Sequence, residues 1–398
     1  MSTQINIGLQ AVSKIVSIQE GGAGLSNIRF IQDTSTNLVP RAVFARSKAD
    51  LFENSFLEIS ESLLVYYCPA ILGERIFRKL YSHGLSPEAK KLISIPAPEL
   101  LKNKANKALM PVKAAIALGC FAIPLTEFCL NYIKNGLTVK MFKQGNFNNV
   151  VSLEKGKSTS EYNDKVAKSA KKNIGRAAMT YTGCVAAGTA LALRGKKSNL
   201  LQKISEFILM PGTKLFKNKK SAGTVNKYFG LDFRNNGGKL AMSNGQLTSC
   251  VLVGGAGYFG AAKDRGKQNF LETLYRFPLV GLYIICGNEL LERGFKKLMQ
   301  NKCPDLIDKN LNIPDVKDIK GLAEKLAGER GHNVDALYKK LLKQKTMLAG
   351  VPLLFGIGVM GFFVAGTSVL FTKYRYNKEQ AEKFKTRFVS SEKFLGNK

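Results

Sequence analysis

MLAGVPLLFGIGVMGFFVAGTSVLF, from Met347 to Phe371, is a run of 25 residues without a formal charge. At about 1.5 Å of rise per residue it makes about 38 Å of helix, more than the roughly 30 Å hydrocarbon core of a bilayer. Lys343 and Lys345 stand before it, and Lys373, Arg375 and Lys378 follow. A fold surrounded by water has little use for such a helix, so the run reads as a transmembrane span. The chain is accordingly expected to be integral to a membrane.

Weaker runs lie upstream. Ala114 to Ile133 is apolar but carries Pro124 and one acid, Glu127. Ala177–Leu193 and Leu247–Ala262 are rich in Gly, Ala, Ser and Thr, small side chains that let helices approach closely in lipid. Leu63–Gly73 ends in Glu74-Arg75, and Phe277–Leu291 contains Asn288 and Glu289 and ends in Glu292-Arg293. These two read equally as short spans, interfacial helices or re-entrant hairpins. The expected fold is an all-α, polytopic membrane protein of about four to six transmembrane helices with basic amphipathic loops between them.

The same reading divides the chain into five parts. Residues 1–53 form a mixed N-terminal segment and 54–134 a first membrane repeat. Basic loops with one small-residue span (177–193) occupy 135–246. A second membrane repeat covers 247–372, with spans near 247–262, 277–291 and 347–371. A charged tail fills 373–398.

The two membrane parts are called repeats because the chain matches itself. Leu64–Leu80 reads LVYYCPAILGERIFRKL and Leu282–Leu298 reads LYIICGNELLERGFKKL, identical at eight of 17 positions without a gap. The same offset of 218 places Ile95-Pro96 on Ile313-Pro314, and Phe56-Leu57-Glu58 matches Phe270-Leu271-Glu272 after a four-residue shift. A second pairing sets Thr182, Cys184, Val185, Gly188 and Ala190 against Thr248, Cys250, Val251, Gly254 and Ala256. With all six runs crossing, the matched segments have equal parity, and the duplication is parallel.

Composition narrows the chemistry. Sixty Lys and Arg against 29 Asp and Glu give a net charge of +31, and the bases lie in every connecting segment. Positive-inside counting therefore does not orient the chain. Aromatic residues are not interleaved with the bases as a single-strand nucleic-acid platform requires, so the expected counterpart is a bilayer with anionic lipid rather than nucleic acid. Two histidines, His83 and His332, cannot build a multi-His metal centre. Six of seven cysteines lie in apolar runs, Cys303 lies in a polar one, and no CxxC pair occurs. No charged start, apolar core and cleavage site open the chain. Gly156-Lys157-Ser158 has Val151 where a Walker motif needs glycine.

One glycine motif stands out. Gly255-Ala256-Gly257-Tyr258-Phe259-Gly260 follows CVLV and resembles the phosphate-binding turn of Rossmann dehydrogenases. Tyr374-x-x-x-Lys378 resembles the catalytic pair of the short-chain members. The resemblance would imply a dinucleotide, but no strand ending in an acid follows about 20 residues on. Small-residue helix packing is the default, and neither a cofactor, a metal nor a catalytic set is expected.

The candidate functional residues are polar groups in or beside apolar runs: Glu127, Asn288 and Glu289, and the repeated pairs Glu74-Arg75 and Glu292-Arg293. An acid inside hydrocarbon is costly and marks function by default, whereas a Glu-Arg pair at a helix exit suits an arginine snorkelling to the surface. The leading expectation is a non-enzymatic membrane scaffold or interaction component whose basic surfaces meet anionic lipid. The alternative is a transporter or channel with Glu127 near its path, and a lipid-modifying enzyme ranks third.

Overall fold

The computed structural model describes residues 13–18, 30–31 and 34–395. They are almost entirely helical, with one two-stranded antiparallel hairpin, β1 (Arg234–Asn236) and β2 (Lys239–Ala241). The long helices are α1 (Lys48–Pro69), α2 (Met110–Cys120), α3 (Ala122–Phe142), α4 (Ser160–Arg194), α5 (Asn199–Leu209), α6 (Lys219–Phe229), α7 (Asn244–Asp264), α8 (Lys267–Leu282), α9 (Asn288–Met299), α10 (Ile319–Arg330), α11 (Val334–Phe355) and α12 (Val364–Leu395). Their starts are written in the sequence. Thr159, Ser198 and Asn333 each accept a backbone N–H at the N-terminus of α4, α5 and α11, and Ser243 with Gln246 closes a capping box on α7.

Among the described residues, three helical stretches are long and apolar enough to cross a membrane: Lys104–Phe142, Lys267–Met299 and Val334–Thr386. The expected runs at 177–193 and 247–262 lie in α4 and α7, outside that set, because glycines, hydroxyls and flanking charges dilute their hydropathy. The three stretches also differ in setting. The apolar window of the first is 78% buried, against 17% and 28% for the others. The α2–α3 rod is thus the sheltered centre, packed by α7, α4 and α1, while α8 and α11–α12 turn apolar faces outward.

Hydrogen bonds fix the direction of each rod. At one end Phe147 N–H donates to Arg265 O (3.1 Å), Tyr162 Oη to Asp264 O (3.2 Å) and Gln268 to Glu379 (3.0 Å). At the other, Lys113 pairs with Asp232 (2.9 Å), Lys107 with Glu206 (3.1 Å) and Lys227 with Glu289 (2.7 Å). Six rods therefore alternate between the two ends: α1, α2–α3, α4, α7, α8–α9 and α11–α12. A small helical unit of α10 and the start of α11 adjoins the second end, with its own core of Cys303, Leu306, Ile307, Ile319, Ala323 and Leu341. Cys303, in a polar stretch of sequence, is buried there.

Three rods widen into π-helix at Ala70–Phe77, Tyr283–Gly287 and Gly356–Phe363. A proline stands upstream of each, Pro69, Pro278 and Pro352. Proline removes a backbone donor and opens the i→i−4 ladder, and the added residue of a π-turn relieves the defect. The last π segment packs against Thr34–Leu38, which brings the short helix Val39–Val43 and its Arg41 into the bundle.

The α7–α8 turn is two residues, Arg265 and Gly266, and Gly266 has φ 111° and ψ 169°. Only glycine takes that region without strain of order 1–3 kcal/mol. Gly266→Ala is expected to lower the thermal unfolding midpoint in detergent. Gly136→Ala, on a helix where an added Cβ meets nothing within 4 Å, is expected to leave it unchanged or raise it.

Candidate functional site

Several rods carry one polar stripe each at helical spacing. On α3 it is Glu127, Asn131, Lys134, Asn135 and Thr138. On α1 it is Asp50, Glu53, Asn54, Glu58 and Glu61, and on α8 Gln268, Asn269, Glu272, Thr273 and Arg276. Ser368, Thr372 and Arg375 continue it on α12. Residues three, four and seven apart share a helix face, so each rod is apolar to its surroundings and polar toward the bundle axis.

The stripes meet in two layers. The first, toward the α7–α8 turn, is built of ion pairs. Arg265, 1% exposed, donates to Glu53 (2.7 Å), Asn135 Oδ1 (3.3 Å) and Gly145 O (3.1 Å). Lys134 Nζ lies 3.8 Å from the same Glu53 oxygen. Arg46 grips Glu272 through both terminal nitrogens (2.8 and 3.0 Å) and reaches Asp50 through Nε (3.0 Å). Thr372 Oγ1 also donates to Glu272, at 2.7 Å. The pairing is reciprocal: the arginine before α1 reaches an acid of α8, and the arginine before α8 reaches an acid of α1. The doubly bonded Arg46–Glu272 pair is the strong form of charged hydrogen bond, while Arg265 binds Glu53 through one nitrogen.

The second layer encloses a cavity of about 80 Å³, room for about two or three waters. Its charged wall is Arg41, Glu58, Glu61, Glu127 and Arg276, with Asn131 and Tyr258 beside them. Leu247, Cys250, Val251, Phe277 and Val280 form the apolar wall. Arg41 is ion-paired with Glu58 and donates to Tyr258 Oη (2.6 Å). Lys134 sits over the Tyr258 ring, 5.7 Å from its centroid, and links the two layers. Glu127 rests on Gly254: a Cβ there would stand 2.4 Å from the carboxyl carbon. Carboxylates and guanidinium groups against one small cavity can hold a small ionic group reversibly.

Of the residues singled out in the sequence, Glu127 lines this cavity. Asn288 is buried but lies at the end of the α8 π-turn, where Tyr283 Oη donates to it (3.4 Å). Glu289 pairs with Lys227 at the bundle end (2.7 Å). The two Glu-Arg pairs do not pair internally. Glu74 binds Arg78 (2.7 Å) and accepts from Leu240 N–H (2.8 Å), while Glu292 binds Lys296 (2.8 Å). Arg75 and Arg293 are exposed. Arg41, Glu58, Glu61, Tyr258 and Arg276 were not legible from apolar runs; the period of the polar residues finds Glu58, Glu61 and Arg276, while Arg41 and Tyr258 lie outside the stripes.

The Rossmann-like glycines lie in mid-helix on α7. A Cβ on Gly257 would strike Phe128 O at 2.6 Å, on Gly260 the Tyr132 hydroxyl at 2.2 Å, and on Gly255 the Phe277 ring at 2.2 Å. The motif is a packing surface for α3 and α8. Comparison of the chain with protein-family models, with characterised proteins and with solved structures gives no match.

Removing one partner of a buried ion pair leaves an uncompensated charge, at about 3–5 kcal/mol. Arg265→Met is expected to destabilise the protein by that order. Glu53→Gln/Arg265→Met should lose less than Arg265→Met alone, as read from a double-mutant cycle of denaturation midpoints.

Proposed function

We propose that this chain is a six-span membrane protein made of two like, parallel halves. Its interior cavity would bind a small ionic solute on its way across the bilayer, as in a transporter, without covalent chemistry. The observation that carries this is the convergence of Glu127 with charged residues from the Arg41 segment, α1 and α8 on one cavity. A scaffold has no need of charges there, and intramembrane charge is expensive. The geometry thus favours the alternative drawn from the sequence over the leading one.

The six alternating rods support the span count. Outward-facing Leu282, Leu354, Phe363 and Leu370, each more than 60% exposed, support a lipid setting. Matching details support the duplication. The Glu74–Arg78 and Glu292–Lys296 pairs are i, i+4 bridges in one repeat register. Lys113 Nζ donates to Ile95 O (2.9 Å) and Lys345 Nζ to Pro314 O (2.9 Å), so both halves tie a buried lysine to the Ile-Pro loop. α1 and α8 run in the same direction, and the reciprocal Arg46–Glu272 and Arg265–Glu53 pairs join the starts of these two helices. A site at the interface of repeats is where transporters place their solute.

A second reading keeps the basic surface as the working part, a scaffold on anionic lipid. The net charge of +31 favours it, and the two readings are compatible in one molecule.

Cys250 tests the first reading, because it lines the cavity. In a protein retaining only that cysteine, reconstituted in vesicles, a small cationic thiol reagent is expected to label Cys250. Glu127→Gln should slow the cationic reagent more than a neutral one of equal size. Complete protection of Cys250, while a Cys286-only protein reacts, would show a sealed interior and defeat the transport reading.

A further inference from the structure

The segment following α4 is apolar on two opposite sides. On α5 the inner side, Leu201, Ser205, Ile208 and Leu209, faces α2 and the main core. The outer side carries Leu200, Ile204 and Phe207, spaced i, i+4, i+7 and between 41% and 68% exposed. A helix washed by water on its outer face has no reason to place Leu, Ile and Phe there. Leu215 and Phe216 repeat the feature just downstream.

Charge is sorted across the same helix. Exposed Lys196, Lys197 and Lys203 flank the outer apolar face. The one acid of α5, Glu206, points inward and is buried. Burial pushes its carboxyl up, but hydrogen bonds from Lys214 and Lys107 outweigh that and hold it below the usual carboxylate range. The outer face is therefore apolar at its centre and purely cationic at its margin. It lies at the bundle end where Lys107 meets Glu206 and α2 begins, at the edge of the outward apolar belt. Apolar insertion with a cationic margin is the signature of a helix lying in a bilayer interface.

We propose that α5 is an interfacial anchor, its Leu200–Ile204–Phe207 face seated among acyl chains and Lys196, Lys197 and Lys203 bound to anionic phospholipid head groups. The anchor rests on the membrane reading but not on transport. Charge complementarity selects the occupant: a protein partner would have to present acids around an apolar groove, whereas an anionic leaflet presents both features along its whole surface. Anchored in this way, α5 pins the second end of α4 and the start of α2 at head-group depth.

The chain contains no tryptophan, so Phe207→Trp in the full-length protein creates a single reporter. In vesicles its fluorescence should be quenched more by lipid brominated near the glycerol backbone than near the chain ends. Phe363→Trp, in the charge-free run, should show the opposite order. Quenching of Phe207→Trp by aqueous acrylamide and by neither lipid would overturn the anchor. Failure of both reporters to sense lipid would overturn the membrane reading as well, which separates the two outcomes. For the head groups, each lysine near an anionic surface contributes about fivefold in affinity. Lys196→Ala/Lys197→Ala/Lys203→Ala should lose more than about tenfold in phosphatidylglycerol retained in detergent, with phosphatidylcholine unaffected. Lys317→Ala/Lys320→Ala/Lys325→Ala, an equal charge loss on the small helical unit, should lose little. Equal losses from the two variants would reduce the effect to net charge and overturn the head-group site.

Discussion

The structure depends on buried guanidinium–carboxylate pairs that tie the start of α1 to the start of α8. A lone arginine among apolar helices is unstable, and in hydrocarbon it has no water to fall back on. Arg265 therefore fixes three elements at once, accepting nothing and donating to Glu53 of α1, Asn135 of α3 and the Gly145 carbonyl. Arg46 does the same for α1 and α8. Because each pair has one partner before or on α1 and one before or on α8, neither helix start can satisfy its charges alone. The pairs thus act on register and assembly more than on stability, which a well-packed apolar replacement would match or exceed.

Close packing makes those bonds reachable. Gly254, Gly257 and Gly260 lie on the α7 face that meets α3, and each sits where a methyl group would collide with Glu127, Phe128 or Tyr132. The small residues bring the two backbones together, and this brings the Glu127 carboxylate against α7 and Tyr258 within reach of Arg41. Apolar composition and polar placement are in this sense one design. The glycines that dilute the hydropathy of α7 are the ones that let the charged stripe of α3 close against its neighbours.

Much of the fold was legible because some signals are contiguous. The run Met347–Phe371 announces itself by lacking charge, and Glu127 stands out as a solitary acid in an apolar segment. The rest of the site was hidden by its periodicity. Residues 48–61 read as an ordinary polar stretch, and only a helical projection shows that Asp50, Asn54, Glu58 and Glu61 share one face. Their partners are also remote, with 212 residues separating Glu53 from Arg265 and 226 separating Arg46 from Glu272. No local window contains such a pair. The Glu-Arg dipeptides drew notice through repetition, yet adjacent residues on a helix point apart, and each acid turned instead to the base four positions on.

Charge is partitioned as well as placed. Along the stripes and the Arg41 segment, the acids Asp50, Glu53, Glu58, Glu61, Glu127 and Glu272 are matched in number by Arg41, Arg46, Lys134, Arg265, Arg276 and Arg375. The charges of these groups cancel, so the net charge of +31 is carried by the rest of the chain. A surplus of that size works against compactness through self-repulsion, and folding alone gives no reason to keep it. On the proposed reading a negatively charged leaflet would supply that reason, because it would turn repulsion among lysines into attraction to head groups. On the proposed membrane reading, the bilayer that makes the inner pairs obligatory also makes the outer charges favourable, so that one medium accounts for both parts of the charge distribution.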